Sequence, residues 1–233
     1  MCQAPLGLLA VDLDGTLVDS APDIAHCLGN ALEAVGYERP GETLTRAWIG
    51  DGLEALIARA LTHASRTQTP TAGSPAFATA EDRHRTALAA FMDCYGDNLF
   101  VRSRLYPDAA ATLDALRNRG IRLCCITNKR HAFSERLLTQ AGVLDRFELL
   151  LGGDSLHEKK PSPLPLTVAA ERLGVAANAA AFVGDSHQDL RAARGAGFGF
   201  VLASYGYGRI DERELAGAPR IQRFADLPQA LGL

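Results

Sequence analysis

The chain has 233 residues, 47% of them apolar and 22% charged, and carries a net charge of −3 at pH 7. That length suits one large domain, or a core with a smaller companion, and nothing in the even charge pattern suggests a nucleic-acid or membrane surface. The N-terminal apolar run lacks a basic flank and is cut by Asp12, so no signal peptide or membrane span is expected; five cysteines (Cys2, Cys27, Cys94, Cys124, Cys125) without a C-x-x-C pair point to reduced thiols in the cytoplasm.

Residues 6–13 form a nearly continuous apolar run, which predicts a strand buried on both faces, as in a parallel sheet. The run ends in Asp12-Leu13-Asp14-Gly15-Thr16. Ser20, with Asp23 three residues on, has the spacing of a capping box. It opens a helix whose apolar face carries Ile24, Cys27, Leu28, Ala31, Leu32 and Val35 and which stops at Gly36. Gly50-Asp51-Gly52 precedes a second amphipathic stripe of Leu53, Leu56, Ile57, Ala60 and Leu61. Residues 62–80 are polar and rich in Thr, Ser and Pro, which predicts a loop inserted between helices. Leu88, Phe91, Met92, Tyr95 and Leu99 make a third stripe.

From there the pattern changes. Helical patterns at 108–119, 131–141 and 164–173 each stop at a glycine, and apolar runs at 121–126, 147–151, 180–183 and 198–202 read as strands. The alternation predicts an α/β fold with a Rossmann-like parallel sheet of five strands, built from residues 1–15 and 101–233. Residues 16–100 are then a helical cap subdomain inserted after the first strand.

The strand ends carry the polar residues. Asp12 and Asp14 follow the first strand, Thr127-Asn128-Lys129 the second, Lys159-Lys160 the third, and Gly184-Asp185-Ser186 with Asp189 the fourth. Ligands of open parallel sheets bind beyond these carboxyl ends. Singly, each piece reads equally well as a turn or a helix cap; together, in this order, they predict one shared site. Clustered carboxylates repel unless a cation sits among them, and oxygen donors without a His or Cys cluster suit Mg²⁺. A lysine, a hydroxyl and glycine N–H groups beside the metal fit a phosphoryl group. An aspartate can attack phosphorus, and a second carboxylate can protonate the leaving alkoxide. Residues 12 and 14 leave an extended strand on the same face, so both reach one phosphorus.

"DLDGT", "TN", "KKP" and "GDSHQD" are similar to the four motifs of the haloacid dehalogenase superfamily of phosphohydrolases. The resemblance implies that Asp12 is the nucleophile, Asp14 the acid/base, and that Thr127 and Lys160 hold the phosphoryl group. It implies a Mg²⁺ held by Asp12, Asp185 and the Asp14 carbonyl, with Asp189 as a secondary acid, and a first strand lying beside the fourth. Gly15, Thr16 and Asn128 join as substrate-binding residues. A wider run, from Leu9 to about Gly208, resembles the branch of the superfamily that hydrolyses 2-phosphoglycolate, a small phosphate ester. Relatives with the same cap act on other phosphometabolites, as phosphatases or phosphomutases, and a non-catalytic phosphometabolite-binding protein is the reading from a different class. Gly50 and Gly52 read either as a plain turn or as a helix N-terminus open to the substrate's second anion, provided Asp51 points away. His187 lies near the acids in sequence. Trp48 is expected to pack within the cap, and "GAGFGF" from Gly195 to be a helix-to-strand turn rather than a dinucleotide fingerprint.

Overall fold

The structure is a computed structural model that describes residues 5–71 and 73–233; Cys2 lies outside them. It divides into two compact units, one made of Met1–Asp19 with Arg104–Leu233, the other of Ser20–Ser103.

The chain opens with β1 (Leu8–Val11), every residue of which is buried, and turns into the short β2 (Val18–Asp19). The second unit follows, with α1 (Ala21–Glu33), α2 (Glu42–Arg46), α3 (Leu53–Thr67) and α4 (Ala80–Asp97). Its apolar stripes meet as their spacing predicts: Ile24, Leu28 and Leu32 of α1, Ile57 and Ala60 of α3, and Phe91 and Tyr95 of α4 are all buried. Three local expectations are corrected. The capping box at Ser20 does not form; Ser20 makes no side-chain cap. Asp23 instead accepts from the N–H groups of Arg102 and Ser103 and, at 2.6 Å, from the Ser103 hydroxyl, closing the two ends of the unit. The loop expected at 62–80 is shorter, because α3 runs on to Thr67 around the buried Ala64. The expectation of reduced thiols fails for Cys27 and Cys94, which the packing of α1 on α4 brings to a Cα–Cα distance of 5.4 Å and which are bonded as a disulfide. Cys124 and Cys125 are free and buried.

The chain re-enters the first unit at β3 (Arg104–Leu105), which pairs antiparallel with β2. It continues through α5 (Ala109–Asn118), β4 (Arg122–Ile126), α6 (His131–Gln140), β5 (Leu149–Leu151), α7 (Leu164–Arg172), β6 (Ala180–Gly184), α8 (His187–Ala196), β7 (Gly199–Ala203), α9 (Glu212–Leu215), β8 (Arg220–Ile221) and α10 (Leu227–Ala230). Among the described residues the main sheet has six strands in the order β5-β4-β1-β6-β7-β8, and all five pairings are parallel. The sixth, β8, has two residues, too few to show as an apolar run. On one face Leu8, Ala10, Cys124, Ile126 and Phe182 pack under Leu166 and Ala169 of α7 and Leu190 and Ala193 of α8. β1 is flanked by β4 on one side and β6 on the other, so strand order reverses there, and open parallel sheets bind ligands beyond the carboxyl ends at such a point. No helix among the described residues is long and apolar enough to cross a membrane.

Candidate active site

Asp12 is the first residue past β1. Its N–H donates to the Val183 carbonyl at 3.0 Å, so the β6 register continues to the point where the side chain leaves the sheet. A tight turn follows, with Leu17 and Val18 N–H groups donating to the Leu13 carbonyl. Gly15 sits in it at φ 85°, and a Cβ there would collide with the Asp185 carboxylate, so both its conformation and its space require glycine. Thr16 is buried, and its hydroxyl has no hydrogen-bond partner among the described residues.

Lys160 is 3% exposed and organises the acids. Its Nζ donates to Asp12 Oδ1 at 2.6 Å, to Asp189 Oδ1 at 2.6 Å and to the Ile126 carbonyl at 2.9 Å. Asn128 holds the Lys160 backbone, donating from Nδ2 to its carbonyl at 2.9 Å. Thr127, also buried, stands beside them at the end of β4 and accepts from the Lys129 N–H at 3.2 Å. Asp189 closes a capping box at the start of α8, its Oδ2 accepting from the Ser186 N–H at 3.0 Å and hydroxyl at 2.6 Å. Asp185 Oδ2 accepts from the N–H groups of Tyr207 at 2.6 Å and Gly208 at 3.2 Å. Asp14 is paired with Lys129, whose Nζ lies 3.0 Å from both carboxylate oxygens.

Oxygens of Asp12, Asp185 and Asp189 lie within 4.8 Å of one another, with all three residues buried. Burial pushes the Asp12 carboxyl well above its usual pKa; Lys160 opposes this, and the charges of Asp189 and Asp185 add to it. Burial, and then the neighbouring Asp189, raise Asp185 to about 7, against the two N–H donors from Tyr207 and Gly208. Burial works against the charge on Lys160, but Asp12 and Asp189 outweigh it and hold the ammonium protonated. Lys160 pairs with two of these three carboxyls, Asp12 and Asp189, which leaves a concentration of oxygen donors suited to a hard divalent cation.

The residues expected at the strand ends thus come together in the first unit: Asp12, Asp14, Gly15, Thr16, Thr127, Asn128, Lys160 and Asp185. Gly50 and Gly52 lie in the second unit, at φ 130° and 92°, with Gly52 at the N-cap of α3. Between them Asp51 is turned to an ion pair with Arg59. His187 is drawn away to Glu214, 2.8 Å from Nδ1. Trp48 is half-buried against His63, with ring centroids 5.4 Å apart. Gly197 closes α8 in a left-handed conformation before β7, a helix-to-strand turn. The partners that sequence reasoning missed are Tyr207 and Gly208 on Asp185, and Lys129 on Asp14. The "YGYG" run after β7 is the only sequence signal for the first two, while Lys129 stands in the Thr127-Asn128-Lys129 run after the second strand, without a hint of its pairing.

A model of the haloacid dehalogenase-like hydrolases matches residues 6–197, and the chain belongs to that family. Among its relatives, a phosphoglycolate phosphatase of Nitrosococcus oceani is 42% identical over 208 residues, covering 89% of this chain and 88% of that one. The phosphoglycolate phosphatase of Escherichia coli strain K12 is 40% identical over 232 residues, covering 97% of this chain and 92% of its own. A crystal structure named as a predicted phosphoglycolate phosphatase, from Haemophilus somnus 129PT, superposes with a TM-score of 0.88 at 36% identity over 98% of both chains.

Proposed function

We propose that this chain is a Mg²⁺-dependent phosphatase that hydrolyses 2-phosphoglycolate to glycolate and phosphate through an aspartyl-phosphate. The observation that carries the chemistry is the buried cluster of Asp12, Asp185 and Asp189 around Lys160 at the reversal of strand order. The names of the relatives support the substrate.

Asp12, Asp185 and the Asp14 carbonyl would hold the Mg²⁺. The ion would supply Lewis-acid polarisation of the phosphoryl group and offset the charge of the acids. Asp12 attacks phosphorus with a carboxylate oxygen, and the bond from phosphorus to the glycolate oxygen breaks. Asp14 gives its proton to that oxygen as it leaves. Asp14 then takes a proton from water, whose oxygen attacks the same phosphorus and releases phosphate and free Asp12. Lys160 and Thr127 hold the phosphoryl oxygens, with Gly15, Thr16 and Asn128 beside them. Lys129, on both oxygens of Asp14, keeps that carboxylate in place between the two steps. Substrate choice falls to Gly50 and Gly52, which lead into the N-terminus of α3, where a second anion would be favoured; the Arg59 pair keeps the Asp51 charge from repelling it.

We assign the enzyme to the cytoplasm, which suits the free, buried Cys124 and Cys125, with the Cys27–Cys94 disulfide as the exception to the reduced state usual there. A screen of small phosphate monoesters with and without Mg²⁺ tests the reading. It expects Mg²⁺-dependent phosphate release with 2-phosphoglycolate ahead of neutral esters of similar size. Uncharged esters hydrolysed equally well would make this a general phosphatase, and interconversion of sugar-phosphate isomers would make it a mutase.

A further inference from the structure

Asp185 is held by backbone from a distant part of the chain. The turn after β7, Ser204-Tyr205-Gly206-Tyr207-Gly208, passes close enough for two successive N–H groups to donate to one oxygen, Asp185 Oδ2. Such an approach excludes side chains. A Cβ on Gly206 would overlap the Asp185 side chain, and one on Gly208 would overlap its carbonyl oxygen. The far side of the turn is tied down by two hydroxyls. Tyr205 donates to the Thr16 carbonyl at 2.8 Å, and Tyr207 donates to Asp19 Oδ1 at 2.7 Å. The Tyr205 ring also packs on Tyr106, with centroids 4.4 Å apart.

We propose that residues 204–208 are a strap that positions Asp185, and that Tyr207, through its hydroxyl on Asp19, sets the affinity of the carboxylate cluster for a divalent cation. The inference rests on the reading above that Asp185 is a metal ligand. A carboxylate with one oxygen fixed by two donors has its plane fixed too, so the direction of the other oxygen is set before the ion arrives. Supporting contacts of this kind typically contribute about 10- to 100-fold to metal affinity. The Tyr207 hydroxyl keeps the two N–H groups on Asp185 by anchoring the strap to Asp19 of β2, directly after the β1–β2 connection that carries Asp12 and Asp14. Tyr207 is thus a positioning residue and touches no reacting atom.

The test is calorimetric titration of the metal-free full-length protein with Mg²⁺, repeated with Mn²⁺ by electron paramagnetic resonance. Asp185→Ala serves as the control that assigns binding to this cluster. Tyr207→Phe keeps the ring and loses only the tie to Asp19; Gly206→Ala forces a methyl against Asp185. Both are expected to raise the Kd for Mg²⁺ about tenfold or more. Tyr207→Phe should regain a near wild-type kcat at saturating Mg²⁺, a split that a general loss of fold would not give. Should Gly206→Ala fail to fold, Tyr207→Phe carries the test alone. A Kd within twofold of wild type in the folded variants, or a kcat loss in Tyr207→Phe that saturating Mg²⁺ does not restore, would overturn the strap while leaving the metal site standing. Wild-type protein showing no Mg²⁺ binding that Asp185→Ala removes would overturn both.

Discussion

At the scale of single residues, the acids of this site differ in what surrounds them, and that divides their work. Asp12, the nucleophile of the proposed reaction, is buried and bonded to Lys160. Asp14, the proton donor of the proposed reaction, is less buried and paired with Lys129. General acid and base assistance is typically worth about 10²- to 10⁴-fold. Asp14→Asn should therefore lower kcat by that order on alkyl phosphates, and by clearly less on aryl phosphates, whose leaving group needs little protonation. Steady-state rates on one ester of each kind decide this; equal losses would remove Asp14 as the proton donor. Asp51 was the awkward residue of the sequence, an anion between two glycines expected to accept an anion. Its ion pair with Arg59 answers that. Arg59→Gln should raise KM for 2-phosphoglycolate up to about fivefold, the upper range for a partly exposed pair, with aryl phosphate turnover little changed. A KM rise shared by both substrates would remove Arg59 from substrate choice.

At the scale of elements, legibility followed the length of the apolar pattern. β1, β4 and β6 are runs buried on both faces, and α1, α3 and α4 carry stripes several turns long, so each shows in the sequence. β8, with two residues, and α2, with five, are too short to establish a period. What needs partners far along the chain was unreadable. Asp23 has the spacing of a local cap, yet its partners are Arg102 and Ser103. The strap on Asp185 combines two loops whose separation in sequence carries no signal. Thr127, Lys160 and Asp185 were legible because each directly follows a readable strand or lies in a distinctive motif. Cys27 and Cys94 are 67 residues apart, and only the packing of α1 on α4 pairs them. A disulfide closing so long a loop is typically worth about 2–4 kcal/mol. Reductant should then lower the Tm of the purified, oxidised protein by several degrees in scanning calorimetry. A Tm indifferent to reductant would mean that the two thiols are not bonded in solution.

At the scale of the whole molecule, the sheet places its chemistry where opposing demands on the acids meet. Burial raises Asp185 from its usual 3.8 to about 7. The sign is that of a group protonated in the native state: its contribution to stability is complete below about pH 4 and is lost as pH rises through about 7. A bound cation needs the ionised form, so it competes with that proton. The Tm gain on adding Mg²⁺ should therefore be small at pH 5 and larger at pH 8, read by thermal melts of metal-free and Mg²⁺-loaded protein. A gain independent of pH would detach the metal from Asp185. The proposed reaction depends on a carboxylate at the end of β1 attacking phosphorus. The most direct measurement is single-turnover release of phosphate from 2-phosphoglycolate in saturating Mg²⁺ by wild type and Asp12→Asn, an isosteric change that leaves the fold in place. The account predicts rapid release by the wild type and a loss of orders of magnitude in the folded variant. Comparable release by the two proteins would contradict it.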